Sequence, residues 1–322
     1  MEILTLPHTD LKVSGLCLGT ASFGADISEA DSFAMLDGFV EQGGNFLDTA
    51  AIYADWTPAG KGSSERLLSK WLSARSPQDI VIASKGAHPE LHSMAVGRMT
   101  PQDVEGDLNA SLGNLGVESI DLYYLHRDDP AVPVEEILEM LEGFKSAGKV
   151  RYYACSNWHA NRIREAQEIA RKMNVAGFVA SQPLWSLAKP DLTGGDQTLA
   201  PMNDELLALH GETGLPAIPY TSQANGYFQK IADGKELKAA VAATYDSEIV
   251  RPLNRGRFSR LQTLSAETGL SLTQLVLGWL RGHEFPVVPI IGPQSVGQLE
   301  DSLRAADVKL SAQQVAELAG TA

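Results

Sequence analysis

Asn45-Phe-Leu-Asp-Thr-Ala-Ala-Ile-Tyr53 is the stretch on which the reading of the chain turns. A short apolar run, Phe46-Leu47, ends in an acid, Asp48, and a phenol, Tyr53, follows a few residues on. Helical sequence stops just before it, at Phe39-Val-Glu-Gln-Gly43-Gly44, and resumes after it at Ser64-Glu-Arg-Leu-Leu. That order predicts a strand with an acid at its C-terminal end, then a loop carrying a tyrosine. In parallel α/β proteins the C-terminal ends of strands are where chemistry is placed. A phenol with a pKa of about 10 is a poor acid at neutral pH. The chain therefore has to offer Tyr53 a cation.

Outward from this stretch the same alternation repeats. Leu16–Gly19, Asn45–Asp48, Ile80–Lys85, Ile120–His126, Val150–Ser156, Gly177–Gln182, Leu215–Tyr220 and Val287–Ile291 read as eight short apolar strands. Helical spacing falls between them, over Ser28–Gln42, Ser64–Ala74, Pro101–Leu115, Val134–Ala147, Ala160–Met173, Asn203–His210 and Leu272–Arg281. Parallel strands with helical crossovers follow, and eight such units predict an α/β fold of the (β/α)8 TIM-barrel type. Leu4-Thr-Leu6 and Leu11-Lys-Val13, joined by polar turn residues, predict a short N-terminal hairpin. A doubly wound dinucleotide sheet would require G-x-G-x-x-G after its first strand. That position reads Gly15-Leu-Cys-Leu-Gly19-Thr-Ala-Ser-Phe-Gly24, so the fingerprint is absent.

Leu187–Pro201 and Gln223–Asn254 read as long loops, which inside a compact domain are often binding lids. Arg257–Thr268 reads as an extra helix and Ala312–Leu318 as a last amphipathic segment. With no linker, repeat or low-complexity tract, one barrel domain over residues 1–322 is expected.

Composition excludes several classes. Hydrophobic residues at 44% and charged residues at 20% describe an ordinary globular chain. A formal net charge of -14 argues against nucleic acid, because a backbone binder needs a basic stripe. No window reaches the roughly 18 apolar residues of a membrane span. Cys17 and Cys155 sit in apolar strand-like runs and read as reduced core residues, pointing to a reducing, cytoplasmic compartment. No metal site is expected, and oligomeric state cannot be read.

A barrel gathers its strand ends at one mouth. Those ends are Asp48, Lys85, His126, Ser156-Asn157, Gln182 and Tyr220. Each alone has a bland reading: a turn cap, a surface lysine, a solvated imidazole. Together with Tyr53 they make a proton-transfer site for a carbonyl oxygen. A lysine ammonium beside Tyr53 favours the phenolate. Asp48 can hold that lysine charged, and His126 can orient the carbonyl. No side chain supplies hydride, so a nicotinamide must share the mouth. Ser156, Asn157 and Gln182 can grip its carboxamide, and Tyr220 offers a face on which its ring can stack.

At these residues the chain resembles the aldo-keto reductase family, and the likeness runs nearly end to end. The resemblance implies a barrel binding NAD(P)(H) without a Rossmann domain. It also implies a tetrad of Asp48, Tyr53, Lys85 and His126, and nicotinamide contacts from Ser156, Asn157, Gln182 and Tyr220. Where the family often reads Tyr-Ser-Pro-Leu-Gly-x-Gly around the pyrophosphate, this chain has Tyr220-Thr-Ser-Gln-Ala-Asn-Gly226. Thr221, Ser222, Gln223 and Asn225 are then the implied contacts. After the eighth strand, NADPH-preferring members place Lys or Arg on the 2′-phosphate. Here Ile291, Gly292, Gln294, Gln298 and Asp301 occupy that stretch, with no cation before Arg304. A phosphate would lose its usual bidentate partner. The family default still sets NADP(H) slightly ahead of NAD(H), with Arg251, Arg255 or Arg257 as substitute cations.

Phe23, Trp56, Trp158 and Trp185 are the expected walls of the substrate pocket. The chain stops soon after its last helix, whereas steroid-handling relatives carry a longer tail. An open mouth taking small polar carbonyls, sugars or polyols is expected. Two other readings stay open: a lyase or aldolase using Lys85 as a Schiff-base nucleophile, and a cofactor-binding regulatory subunit of a membrane partner.

Overall fold

Residues 1–320 are described by a computed structural model of the chain. An antiparallel hairpin opens it, β1 (Ile3–Thr5) against β2 (Lys12–Ser14). The alternation then runs β3 (Cys17–Gly19), α1 (Glu29–Glu41), β4 (Phe46–Asp48), α2 (Ser63–Arg75), β5 (Val81–Gly86) and α3 (Pro101–Leu115). It continues with β6 (Ile120–Leu125), α4 (Val134–Ser146), β7 (Val150–Ser156), α5 (Ala160–Met173), β8 (Ser181–Gln182) and α6 (Asp204–Thr213). After these come α7 (Tyr227–Ala232), α8 (Ala239–Tyr245), α9 (Arg251–Thr268), α10 (Leu272–Arg281), β9 (Ile290–Ile291), α11 (Val296–Arg304) and α12 (Ala312–Ala319).

Helix ends follow local chemistry. Ser28 and Thr100 accept hydrogen bonds from the backbone N–H of Asp31 and Asp103, capping α1 and α3, and Pro101 opens the second of these. Ser271 with Gln274 and Ser311 with Gln314 form reciprocal capping boxes on α10 and α12. Gly116, Gly214 and Gly269 end α3, α6 and α9 in left-handed backbone that a Cβ would strain.

The seven sheet strands pair in parallel in the order β8-β7-β6-β5-β4-β3-β9. The expected strand over Leu215–Tyr220 is only bridges, Ala217 pairing with both Ser181 and Val287. Its backbone still closes the ring. Ser181 N–H donates to the Pro216 carbonyl (2.9 Å), Val288 N–H to Ala217 (2.9 Å) and Ile290 N–H to Pro219 (2.9 Å). Pro216 and Pro219 have no N–H to give back, so a continuous ladder cannot form. Pro286 and Pro289 shorten the last expected strand to β9 in the same way. The expected Gly177–Gln182 strand likewise contracts to β8, behind Gly177 at φ +71°. The result is a parallel (β/α)8 barrel with one stave held by bridges.

Two expectations about loops change. Gln223–Asn254 is not an open lid, because it folds into a 3-10 turn at Ala224–Gly226, then α7, α8 and the start of α9. Tyr227, Phe228, Val241 and Tyr245 bury its apolar side. Helix α9 starts at Arg251 rather than Arg257, with Pro252 in its first turn. Leu187–Pro201 does lack helix. It is tied down, with Asn254 bonding both the N–H and the carbonyl of Lys189 at 2.8 and 2.9 Å.

Alternation along the strands decides which side chains meet. Phe46, Val81, Ala83, Leu122, Tyr124, Ala154 and Ala180 fill the barrel interior, and Leu6, Leu11 and Val13 of the hairpin region close its lower end. Leu47, Ile82, Tyr123, Leu125, Tyr153 and Cys155 pack outward beneath the helices. One period of two beyond the interior residues come Asp48, Lys85, His126, Ser156 and Gln182. They form the top inward layer, so the polar residues share one floor. Among the described residues no helix is long and apolar enough to cross a membrane.

Candidate active site

Lys85 is wholly buried in this layer, and its ammonium has three hydrogens to place. One goes to Asp48 Oδ1 (2.5 Å), one to the Thr49 carbonyl (2.7 Å) and one to the Tyr53 hydroxyl (2.9 Å). Every donor of the lysine is used. Since an ammonium only donates, the Tyr53 oxygen accepts here and its own proton points elsewhere. Asp48 Oδ1 lies 3.4 Å from that oxygen, too far to hold the proton well. The second carboxylate oxygen accepts from Gln182 Nε2 at 2.9 Å.

Burial depresses the Lys85 pKa, but Asp48 and then Tyr53 outweigh it and the lysine is held protonated. For Tyr53 the balance differs from the sequence expectation. Burial pushes the phenol up, the opposing pull of Lys85 is smaller, and the net shift is upward. The resting group is a protonated phenol.

His126 is held by its backbone N–H on the Gly86 carbonyl (2.8 Å), with its ring edge-on to Tyr53 at 6.1 Å between centroids. Burial, then the charge of Arg127, depresses its pKa well below the ordinary histidine value, so the imidazole is neutral. Among the described residues its buried Nδ1 has no partner. An orphaned lone pair is more tolerable than an orphaned N–H, which places the proton on Nε2. His126 is therefore a neutral donor.

A cleft of about 220 Å3 opens over these groups, lined among others by Tyr53, Trp56, His88, His126, Arg127, Asn157, Gln182 and Tyr220. Asn157 holds a left-handed backbone at φ +59°, and its side chain joins four neighbours, the longest bond being from the Ala200 N–H to Oδ1 at 3.4 Å. Its Nδ2 donates to Ser156 Oγ (3.1 Å) and the His126 carbonyl (3.2 Å), and its Oδ1 accepts from Tyr220 OH (2.7 Å). Ser156 Oγ donates to the Gln182 carbonyl at 2.9 Å. This interlocked amide and hydroxyl set on one wall has the chemistry to meet a carboxamide.

The remaining expected cofactor residues lie outside that cleft, on the neighbouring rim. Thr221, at φ +53°, and Asn225, at φ +51°, shape the turn after Tyr220. Ser222 Oγ donates to the Ile290 carbonyl (2.5 Å), and Gln223 Nε2 reaches Ser302 Oγ (3.2 Å) on α11. Ile291 is buried, whereas Gly292, Gln294 and Gln298 are exposed, with Gln294 N–H on Gln298 Oε1 at 2.8 Å. Asp301 accepts from Ser271 Oγ at 2.8 Å. The substitute cations are committed elsewhere. Arg251 and Arg255 pair with Asp246 at 3.4 and 3.0 Å, and Arg257 donates to the Leu187 and Ala319 carbonyls.

Of the four expected aromatic walls only Trp56 lines the cleft, half exposed at 52%. Phe23 is buried in the layer between sheet and helices. Trp158 packs edge-on to Phe178 and under Arg162, its indole N–H on the Arg127 carbonyl. Trp185 packs against Trp279, His283 and Phe285. Each has apolar neighbours on the far side of its strand or loop, which sequence order alone does not reveal. Trp158→Ala should therefore cost about 3–5 kcal/mol in urea denaturation. Trp56→Ala should stay within about 0.5 kcal/mol and instead raise KM. Equal losses of stability would contradict this assignment.

Ile52, His88, Leu91 and Arg127 line the cleft without having been anticipated. His88 carried a faint signal, lying just beyond the Lys85 strand end. Arg127 adjoins His126 in sequence.

A model described as the aldo/keto reductase family matches residues 15–322. The chain belongs to that family. It is similar to the uncharacterized oxidoreductase YrpG of Bacillus subtilis, 30% identical over 96% of this chain and 92% of that protein. It is similar also to norsolorinic acid reductase stcV of Emericella nidulans, at 27% over 98% of this chain and 80% of that protein. Norsolorinic acid reductase B of Aspergillus parasiticus is 28% identical over 96% of the chain and 81% of its own length. This aldo/keto reductase is thus matched along nearly its whole length by proteins named as oxidoreductases.

Proposed function

We propose that the protein interconverts a carbonyl and an alcohol with a nicotinamide cofactor, on small polar carbonyls, sugars or polyols. The observation that carries this reading is the Lys85 ammonium, saturated by Asp48, Thr49 and Tyr53, with the phenol proton left free for the cleft. A reduced nicotinamide, when bound, supplies the hydride. Ser156, Asn157 and Gln182 would hold its carboxamide, and Tyr220 would back its ring. His126 Nε2–H aligns the carbonyl oxygen, and Tyr53 gives it a proton as negative charge develops. Lys85, already bonded to the Tyr53 oxygen, stabilises the phenolate that remains, and Asp48 keeps the ammonium in place. In oxidation the same groups act in reverse.

The Schiff-base reading meets an obstacle in Lys85 itself. A nucleophilic amine must be neutral and free, whereas this one is held protonated with all three hydrogens engaged. The regulatory-subunit reading gains nothing from the relatives, which carry reductase or oxidoreductase names. The buried, unpaired thiols of Cys17 and Cys155 fit a reducing, cytoplasmic setting.

The cofactor preference moves from the family default. Gln294, Gln298 and Asp301 supply no positive charge, and Arg251, Arg255 and Arg257 already have partners. We therefore expect NADH to bind at least as tightly as NADPH. Titrating the purified protein with each, following Trp56 fluorescence, tests both points. Tighter NADPH binding by tenfold would reverse the preference, and no binding of either would remove the oxidoreductase reading.

A further inference from the structure

His88 lies just past β5, on the side of the cleft facing His126, and the proton-transfer scheme above leaves it unused. Its residue is about nine-tenths buried, with the ring edge-on to His126 at 4.7 Å between centroids. Ring Nδ1 lies 2.6 Å from the Pro89 carbonyl. A carbonyl oxygen only accepts, so Nδ1 carries the proton and Nε2 is left as a bare lone pair. Among the described residues that nitrogen has no hydrogen-bond partner, while the residue lines the cleft.

The backbone that presents this lone pair is held firmly. Ala87 takes a left-handed conformation at φ +61° and donates its N–H to Asp107 Oδ2 at 2.9 Å. Arg98 bridges the two sides, donating to the His88 carbonyl (3.0 Å) and to both oxygens of Asp107 (2.8 and 3.1 Å). The positive φ, the buried carboxylate and the guanidinium together fix where the His88 ring sits. Arg127 cannot take over the role. A guanidinium has no acceptor, and three of its five N–H groups already go to Thr198 Oγ1 (2.8 Å), the His126 carbonyl (2.9 Å) and Asp196 (3.4 Å). Burial and the Arg127 charge also keep the His88 imidazole neutral, so the acceptor persists near neutral pH.

We propose that His88 Nε2 accepts a hydrogen bond from a substrate hydroxyl on the carbon next to the carbonyl, making this a site for 2-hydroxyaldehydes and 2-hydroxyketones. The neighbouring imidazoles offer opposite hands to one ligand: His126 Nε2–H donates to the carbonyl oxygen, and His88 Nε2 accepts from the hydroxyl beside it. A simple aldehyde leaves the second nitrogen dry. This rests on the oxidoreductase reading and narrows its substrate class.

Three aldehydes of equal chain length test it: 2-hydroxypropanal, 3-hydroxypropanal and propanal. For the unmodified protein, kcat/KM should favour 2-hydroxypropanal over propanal by roughly tenfold or more, with 3-hydroxypropanal closer to propanal. His88→Leu should collapse that ratio to about twofold or less, and His88→Gln, which keeps an acceptor, should restore part of it. The 15N shifts of histidine-labelled protein, with the His88 signal assigned from its loss in His88→Leu, should report the Nδ1–H tautomer. Equal kcat/KM for 2-hydroxypropanal and propanal, a ratio unchanged in His88→Leu, or an Nε2–H tautomer would each overturn the proposal and leave the oxidoreductase reading standing. No turnover of any aldehyde, together with no nicotinamide binding, would overturn both. Should His88→Leu fail to fold, the ratio for the unmodified protein and the effect of His88→Gln still decide.

Discussion

Tyr53→Phe is expected to lower carbonyl turnover by about 10²–10⁴-fold while leaving cofactor affinity within about twofold. The substitution removes one oxygen. That oxygen receives the third hydrogen bond of Lys85 at 2.9 Å and is the proton source nearest the reacting centre. The nicotinamide-facing groups Ser156, Asn157, Gln182 and Tyr220 are untouched by it. Steady-state kcat with saturating cofactor, and Trp56 quenching for affinity, separate the two effects. Turnover near that of the unmodified protein would remove Tyr53 from the mechanism. Direction of reaction adds a pH signature. Burial raises the phenol pKa against the weaker pull of Lys85, so the protonated acid persists through the neutral range. Reduction should then be nearly flat in pH there. Oxidation needs the phenolate and should climb by about tenfold per unit below the pKa.

The parts of the site legible in the sequence were those fixed by strand periodicity. Asp48, Lys85, His126, Ser156 and Gln182 each end an apolar run, and a period of two puts all five on one inner floor once the barrel closes. Tyr53 could be placed because so few residues separate it from Asp48. What stayed hidden depended on which face of a loop is buried. Trp158 follows Asn157 directly, yet the left-handed Asn157 turns the chain so that the indole falls on Phe178 instead of the cleft. His88, just past its strand end, gave only a faint signal for the converse reason. Only the positive φ at Ala87 and the Asp107–Arg98 clamp bring it back over the floor. The seventh stave shows the same limit. Pro216 and Pro219 mark a break in pairing but do not reveal that Ala217 still bridges both neighbours.

Lys85→Met should cost about 3–5 kcal/mol of stability as well as activity, because it strands a buried carboxylate. Asp48 sits in the barrel interior, and without Lys85 its Oδ1 keeps only a distant Tyr53 hydroxyl at 3.4 Å. Gln182 still serves Oδ2, which softens the loss without neutralising the charge. Adding Asp48→Asn to the Lys85→Met protein removes that charge and should recover most of the stability. The coupling between the two positions is then at least about 1–3 kcal/mol. Turnover should not recover in the double variant, since nothing remains to stabilise the Tyr53 phenolate. Urea denaturation of the four proteins, each assayed with the same aldehyde, distinguishes a pair retained for chemistry from one retained for folding. Additive losses of stability would mean that Lys85 and Asp48 do not depend on each other. Recovered turnover alongside recovered stability would mean that the ammonium was needed only to hold the barrel together, and the proton-transfer assignment would fall.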